Sequence, residues 1–264
     1  MDKLALAQAV KELTRRTDGY CRPAGLVQHL FAGAPFGTAY VCISPGEQGV
    51  HPSSNHNRVL LCGAESGLAA DGITDLMKLF ADAGITRFFV WLSPGPGMKL
   101  VRRLLADAGF TRRPYVAYLT LACEAPEAAL DATGFEIREV DRQEVERLSG
   151  SLDGVIWPEY LRSLDAPGVH HFMAFEGERP VASAVLYAFE EIGYLSLALT
   201  AEPFRCRGAQ SALIARRIEK AVALGCKIVV SETLSILEHS LSNLQKAGFE
   251  VVYEKEVYGP DPEQ

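Results

Sequence analysis

Residues 204–213 read FRCRGAQSAL, in which Arg205 and Arg207 flank a cysteine and Gly208 follows directly. A strand-like run at 194–200 precedes this loop, and a helical pattern starts after Gly208. The first N–H groups of a helix lack intrahelical partners, so two arginines beside this electropositive end favour a bound diphosphate. The alternative is a plain strand–turn–helix junction with solvated arginines, because one glycine near basic residues is common.

The helix after this loop has a predicted inner and an outer face. Its apolar stripe, which we expect to be buried, consists of Leu213, Ile214, Ile218, Ala221 and Val222. The predicted outer face carries Arg216, Arg217, Glu219 and Lys220. A helix packed in this way would hold its N-terminus in a fixed position.

Composition limits the possible partners of the chain. Its 264 residues are 48% hydrophobic and 22% charged, as in soluble globular proteins with one large or two small domains. The longest apolar run, 180–189, is about half of the roughly 20 residues that span a bilayer. The start of the chain lacks a signal-peptide pattern, so we expect a cytoplasmic protein without membrane contact.

Charge and potential metal ligands exclude further classes of function. The net charge of −7 argues against nucleic acid as a partner, because phosphate binding uses a basic surface. The six cysteines form no CxxC pair, which excludes a disulfide framework and a zinc cage. The histidines His51, His56, His170 and His171 have no third ligand at a suitable spacing, so we expect no metal.

The two halves of the chain resemble one another on either side of an Ala-, Pro- and acid-rich stretch at 123–134. A helix-closing glycine recurs 141 residues later, at Gly84 and Gly225, and a Gly-Phe pair recurs 139 residues later, at 109–110 and 248–249. Glycine ends a helix before a strand because it adopts a positive φ easily. The order of these matches predicts an internal duplication.

The second half also carries three strand-like runs within 170–200, joined by tight turns at 176–179 and 190–193. Together with the repeated strand–helix–strand units, these runs predict an α+β protein. We expect two domains, 1–124 and 134–264, each with a mixed, mostly antiparallel sheet flanked by helices.

The segment that starts with this loop resembles the GNAT superfamily of acyl-CoA-dependent N-acyltransferases. In both, the loop is followed by a helix, a strand and a second helix that ends in Gly-Phe. That family's signature is Arg or Gln, two residues, Gly, one residue, then Gly or Ala. Arg205 and Gly208 match it, and Gln210 stands at the last small position. The resemblance covers 135–258 and extends loosely to 40–121, as a degenerate copy without the basic glycine loop.

The resemblance implies an acetyl-CoA site in a gap where the fourth and fifth strands splay apart. The backbone at 198–200 would hold the pantetheine arm and polarise the thioester carbonyl. The loop would hold the pyrophosphate, with Cys206 as a backbone contact rather than a nucleophile. The implied coenzyme-binding residues are Ala198, Leu199, Thr200, Arg205, Cys206, Arg207, Gly208, Ala209, Gln210, Ser211 and Asn243.

Proton transfer has several candidate residues. An attacking amine must lose a proton, because a free lysine amine has a pKa of about 10.4. Glu232, at the end of the fifth strand, is the first candidate base; the alternative is that it caps the segment that follows. The acidic residues at 190–191 are further candidate bases. Tyr194 stands where some relatives carry a glutamate, so that position offers no carboxylate. Leu244 replaces the tyrosine that often protonates the leaving thiolate, so Ser240, one turn earlier, is the nearest hydroxyl.

The segment 153–171 has the Pro, Gly and aromatic content of a variable loop over a pocket. Trp157 and Tyr160 are candidates for stacking on the acceptor, and Glu159 for meeting an ammonium group. The alternative is that these aromatic side chains close the edge of the core.

Two functions follow from the resemblance. The first is a tandem N-acetyltransferase that moves an acetyl group from acetyl-CoA to a primary amine of a small molecule or peptide. The second is a catalytically silent acyl-CoA-binding or interaction module, favoured by Leu244 and Gln210; a chain that binds no coenzyme is a third possibility. A duplicated chain supplies internally the contact that single-copy relatives obtain by dimerising, so we expect a monomer or a homodimer.

Overall fold

The computed structural model describes residues 2–20, 27–34, 37–44, 57–62, 71–124 and 134–260. His51, His56 and most of the predicted linker at 123–134 lie outside the described residues. The chain divides into an N-terminal unit of 1–119, 234–236 and 252–264, and a C-terminal unit of 120–233 and 237–251. Both units are discontinuous in sequence, and the domain limits 1–124 and 134–264 stay a prediction.

The described elements, in chain order, are α1 (Lys3–Tyr20), β1 (Val27–Ala34), β2 (Gly37–Ile43), β3 (Arg58–Cys62), α2 (Asp71–Asp82), β4 (Phe89–Ser93), α3 (Met98–Asp107), β5 (Phe110–Glu124), β6 (Glu136–Val140), α4 (Arg142–Arg147), α5 (Pro158–Arg162), β7 (Val169–Glu176), β8 (Arg179–Phe189), β9 (Ile192–Thr200), α6 (Ala209–Ala223), β10 (Ile228–Leu234), α7 (Glu238–Lys246) and β11 (Glu250–Pro260). Short 3-10 turns lie at Ser149–Ser151 and Glu202–Phe204.

The N-terminal unit is a mixed sheet with strand order β1-β2-β3-β4-β11-β5, to which β11 contributes from residue 252 onward and β5 up to residue 119. The end of β5, from Thr120, belongs to the C-terminal unit. Strands β1, β2 and β3 pair antiparallel, β3 and β4 pair parallel, and β11 lies antiparallel to β4. Helix α1 buries Leu6, Val10 and Leu13, the side chains that its amphipathic pattern places on one face.

The C-terminal unit is a sheet with the order β6-β7-β8-β9-β10. Strands β6 to β9 are antiparallel to their neighbours and β10 is parallel to β9. The turns predicted at 176–179 and 190–193 connect β7 to β8 and β8 to β9. The predicted α+β class, with mixed and mostly antiparallel sheets flanked by helices, is confirmed.

The helix-closing glycines of the two halves adopt the same conformation. Gly84 has φ 74° and Gly225 has φ 85°. In the first half the N–H of Ile85 donates to the carbonyl five residues before it, and in the second half Cys226 does the same. This is the hydrogen bond that a left-handed residue allows after a helix end. The matching caps support the predicted duplication.

The predicted faces of α6 need two corrections. Arg217, assigned to the outer face, is only 2% exposed, whereas Val222, assigned to the inner stripe, is 44% exposed. Leu213, Ile218 and Ala221 are buried as predicted. Arg217 lies four residues from both Leu213 and Ala221, so helical periodicity places it within the stripe, and only its charge indicated the outer face. Val222 lies at the edge of the stripe, where it reaches solvent.

No helix in the described part of the chain is long and apolar enough to cross a membrane. Within the same residues, His, Cys, Asp and Glu side chains form no group of three or more that could hold a metal ion.

Candidate active site

The loop between β9 and α6 contains two left-handed residues, Cys206 at φ 59° and Gly208 at φ 89°. Gly208 is the N-cap of α6 and receives no side-chain capping bond. The N–H groups of the next three residues, Ala209, Gln210 and Ser211, begin the helix and have no intrahelical acceptor. Left-handed residues in such a loop turn successive N–H groups toward one concave surface, which suits an anion.

The two arginines of the loop contact different partners. Arg205 is exposed, and its Nε donates to the carbonyl of Thr200 over 3.4 Å. Arg207 pairs with Glu176 at the end of β7, and its guanidinium lies 5.2 Å from the centre of the Phe204 ring. The side chains of Arg207 and Glu176 are about half exposed, at 47% and 45%. An anion at the loop would therefore compete with Glu176 for Arg207.

The side chain of Gln210, the departure from the small residue of the GNAT signature, is bound to β9. Its Nε2 donates to the Oγ1 of Thr200 over 2.8 Å. Its amide is therefore held at the end of β9. Cys206 and Ser211 are exposed, and Ala209 is buried against the core.

Strand β9 has a bulge next to the loop. Ser183 of β8 pairs with Leu199, but Val185, two residues on, pairs with Ser196, so β9 carries one extra residue. Leu197, within the bulge, has a φ of 47°. Bulges bend a strand and disrupt its hydrogen-bond ladder.

The parallel pairing of β9 with β10 runs from Ile192 and Ile228 to Leu195 and Ser231. Beyond Leu195, β9 continues to Thr200 and, among the described residues, pairs only with β8. The side chain of Ala198 is exposed there, and the predicted contact residue Leu199 is half-buried. The structure thus brings the backbone at 198–200 and the loop together at one unpaired strand edge.

Glu232 lies on β10, just past the last pair with β9. It accepts a hydrogen bond from Thr120 Oγ1 over 2.8 Å and another from the Tyr194 hydroxyl over 3.1 Å. Its side chain is half-buried, and the two donors fix the orientation of the carboxylate. No motif in the sequence indicates Thr120, and the family resemblance marks Tyr194 only as the residue that replaces a glutamate. Tyr194 pairs with Val230, two residues before Glu232, so both side chains lie on one face of the sheet.

The alternative acidic residues lie in the turn between β8 and β9, at the opposite end of β9 from the loop at 204–208. Glu190 is exposed, with a φ of 54° in the turn between β8 and β9. Glu191, in the same turn, pairs with Lys227 at the surface. Their environment fits a solvated turn better than a proton-transfer site.

Of the two predicted acceptor-stacking residues, Trp157 lies at the unpaired edge and Tyr160 does not. The indole of Trp157 is 45% exposed, and its Nε1 donates to the carbonyl of Ala198 over 3.4 Å. Tyr160 is fully buried; its hydroxyl donates to the carbonyl of Phe172. Burial also raises the pKa of the Tyr160 hydroxyl well above its ordinary value. The structure therefore places Tyr160 in the core, as the alternative interpretation had it.

Helix α7 carries the remaining predicted residues. Ser240 and Asn243 are half-buried, and Leu244, at the position of the family's tyrosine, is 4% exposed. Glu159 is the candidate for meeting an ammonium group. Its Oε1 lies 3.6 Å from the NH1 of Arg162, so the carboxylate forms an ion pair within α5.

The chain is similar to known acetyltransferases in sequence and in fold. The model of the acetyltransferase (GNAT) family matches residues 136–249. No curated protein sequence matches the chain. A GCN5-related N-acetyltransferase from Kribbella flavida has a TM-score of 0.69 at 14% identity, over 98% of this chain and 95% of that one.

Two further solved structures share the fold. A GCN5-related N-acetyltransferase from Sphaerobacter thermophilus has a TM-score of 0.57 at 14% identity, over 84% of this chain and 79% of that one. A tandem GNAT protein from the clavulanic acid biosynthesis pathway has a TM-score of 0.60 at 10% identity, over 94% of this chain and 86% of that one. The chain thus has the fold of these proteins, and its residues 136–249 match the model of the GNAT family of acetyltransferases.

Proposed function

We propose that the C-terminal unit binds acetyl-CoA and transfers its acetyl group to a primary amine of a small molecule or peptide. One observation carries this proposal: the N–H-lined loop at 205–211 adjoins the unpaired edge of β9, and Glu232 lies on the next strand. An anion site, an extended groove and a carboxylate are the three parts that acyl transfer from this coenzyme needs.

The loop fits a pyrophosphate. The free N–H groups at the start of α6 and the exposed guanidinium of Arg205 donate to phosphate oxygens, and Arg207 joins them when it leaves Glu176. Because the side chain of Gln210 is held by Thr200, its backbone N–H stays available to the anion. Acetyl-CoA, when bound, supplies an acetyl group activated as a thioester. The backbone at 198–200 would hold the arm that carries it.

Glu232 takes the proton of the amine. A free carboxylate has a pKa of about 4.3, far below that of an ammonium group, so the attacking species is the neutral fraction of the amine, which has lost one proton to solvent. Glu232 takes the second proton, as the nitrogen bonds to the acyl carbon and turns acidic. Thr120 and Tyr194 orient the carboxylate through their two hydrogen bonds. Transfer passes directly or through one water.

The leaving thiol needs little assistance. A free thiol has a pKa of about 8.5, so it departs as a thiolate more easily than an alcohol would. Ser240 on α7 would take the place of the missing tyrosine by donating a proton or positioning a water, and Asn243 would contact the coenzyme arm. Trp157 flanks the acceptor at the unpaired edge.

Calorimetry with CoA tests binding in wild-type protein, in an Arg205→Ala/Arg207→Ala variant, and in Arg216→Ala as a matched control. Arg216 pairs with Glu219 on the surface of α6, away from the loop. Removing two charge-assisted contacts of about 1.5 kcal/mol or more each predicts an affinity at least about 100-fold lower in the double variant. We expect the control to bind like wild type.

Thiol release from acetyl-CoA across a panel of amines then separates enzyme from binding module. Release that depends on an amine and is lost in the double variant supports acetyl transfer. Tight CoA binding without release for any amine would instead favour the silent acyl-CoA-binding module, which the buried Leu244 at the tyrosine position suggests. A wild-type protein that shows neither heat nor a shift in melting temperature with millimolar CoA refutes both functions.

A further inference from the structure

Arg217 is a buried cation on α6. It is 2% exposed, whereas its neighbour Arg216 reaches solvent and pairs with Glu219. Because burial desolvates the guanidinium, the pKa of Arg217 is lowered to about 9, and the side chain stays charged at neutral pH. A buried charge normally has a carboxylate partner, since desolvation of an ion is strongly unfavourable.

The partners of Arg217 are backbone carbonyls. Its Nε donates to Leu213, one turn earlier in α6, over 3.0 Å. One terminal nitrogen, NH1, donates to Val185 of β8 over 3.2 Å and to Ser196 of β9 over 3.4 Å. None of the ion pairs between described residues includes this guanidinium.

These two carbonyls mark the bulge of β9. Val185 and Ser196 are the first paired residues on one side of the register shift, and Leu197, with its left-handed φ, is the next residue. A bulge leaves some backbone N–H and C=O groups without their partner on the neighbouring strand. Because a buried carbonyl needs a hydrogen-bond donor, another group must supply one. Arg217 supplies that donor to both strands from a single nitrogen, so it connects α6 to the distorted part of the sheet.

We propose that Arg217 is a positioning residue, which holds the β9 bulge and so aligns the backbone at 198–200 without touching coenzyme or acceptor. This inference rests on the proposed acetyl transfer. The physical argument is that an apolar side chain of similar volume commonly replaces a buried ion without loss of stability. A charged residue at this position therefore serves the geometry of the bulge rather than the free energy of folding.

The test compares Arg217→Met, which keeps the volume and removes the donors, with Arg217→Lys, which keeps the charge but has one nitrogen. Arg216→Met on the exposed face of the same helix is the control. In ligand-free protein, we expect hydrogen exchange at 196–200 to be at least about tenfold faster in Arg217→Met, with exchange in β7 unchanged. The lysine variant should lie between Arg217→Met and wild type.

Kinetics supply the second measurement. Misplaced backbone groups lower kcat for thiol release by about 100-fold in Arg217→Met, while the Kd for CoA rises by less than about tenfold because the pyrophosphate loop is intact. Wild-type exchange at 196–200 together with wild-type kcat in Arg217→Met would overturn the proposal, even if the variant melts earlier. If Arg217→Met does not fold, Arg217→Lys decides: unchanged exchange and kcat refute the role.

The two proposals fail in different ways. If wild-type protein binds no CoA, the proposed function is wrong, while exchange at 196–200 in the variants still reports whether Arg217 holds the bulge. If wild-type protein transfers acetyl groups and Arg217→Met does so equally well, only the positioning role is wrong.

Discussion

Acid should destabilise the C-terminal unit through His171. Its imidazole is 4% exposed, and its Nε2 shares a 2.9 Å hydrogen bond with the hydroxyl of Ser163. Burial lowers the pKa of His171 to about 4 in the folded protein, from about 6.5 in the unfolded chain. The unfolded state therefore binds the proton more tightly, and stability is lost as the pH falls from about 6.5 toward 4.

The size of the effect follows from that difference in pKa. Two and a half units correspond to about 3 kcal/mol in total, of which about 2 kcal/mol is lost between pH 7 and pH 5. Because Ser163 directly follows α5, the helix that Trp157 caps, we expect acid to loosen the acceptor side of the site first.

Urea unfolding at pH 7 and at pH 5 measures this loss in wild-type protein and in His171→Gln, which cannot titrate. The wild type should lose about 2 kcal/mol more than the variant between the two pH values. His170→Gln, which removes the neighbouring imidazole that pairs with Glu139, is the control and should retain the wild-type loss. Parallel pH dependence in wild type and His171→Gln would refute the reasoning.

Three further outcomes are expected. Glu232→Gln should lower kcat/KM for thiol release by about 10²- to 10⁴-fold without weakening CoA binding, since it removes a general base; unchanged turnover would assign the proton to another group. Asp18→Asn should lower the free energy of unfolding by about 3–5 kcal/mol in urea titrations, because Arg58, 2% exposed, loses its carboxylate partner; a change under about 1 kcal/mol would contradict this. Gly193→Ala should destabilise the protein by about 1–3 kcal/mol in the same assay, because the new Cβ would lie 2.9 Å from the Cβ of Ala221 on α6. An unchanged free energy of unfolding in Gly193→Ala would mean that α6 moves away from the new methyl group at no cost in stability.

Local signals in the sequence predict the local structure well. The turns at 176–179 and 190–193 were predictable because each separates two runs of strand residues, and turn chemistry acts over a few residues. The helix-closing glycines were predictable for the same reason: Gly84 and Gly225 each end a helix with a positive φ. These features depend only on neighbours in the chain.

The composition of the site depends on contacts between distant residues, which no local pattern reports. The bond between Tyr194 and Glu232 joins residues 38 positions apart, and it requires the parallel register of β9 and β10. Thr120 reaches the same carboxylate from a strand 112 positions away. Similarly, the sequence around Trp157 and Tyr160 does not show that the Tyr160 ring is buried and the Trp157 ring is exposed.

Arg217 places a charge on the buried face of α6 for a physical reason that also applies to the unpaired edge of β9. A strand that leaves its neighbour exposes carbonyl groups, and carbonyls that lose both strand and water need other donors. Beyond Leu195, side chains supply these donors along the edge: carbonyls 196, 198 and 200 accept bonds from Arg217, Trp157 and Arg205, respectively. Because these donors come from three separate segments, this part of β9 satisfies its carbonyls without pairing to β10. A charge on the buried face of α6 is then the consequence of an open strand edge beside it, and the one arginine within an apolar stripe indicates where that edge lies.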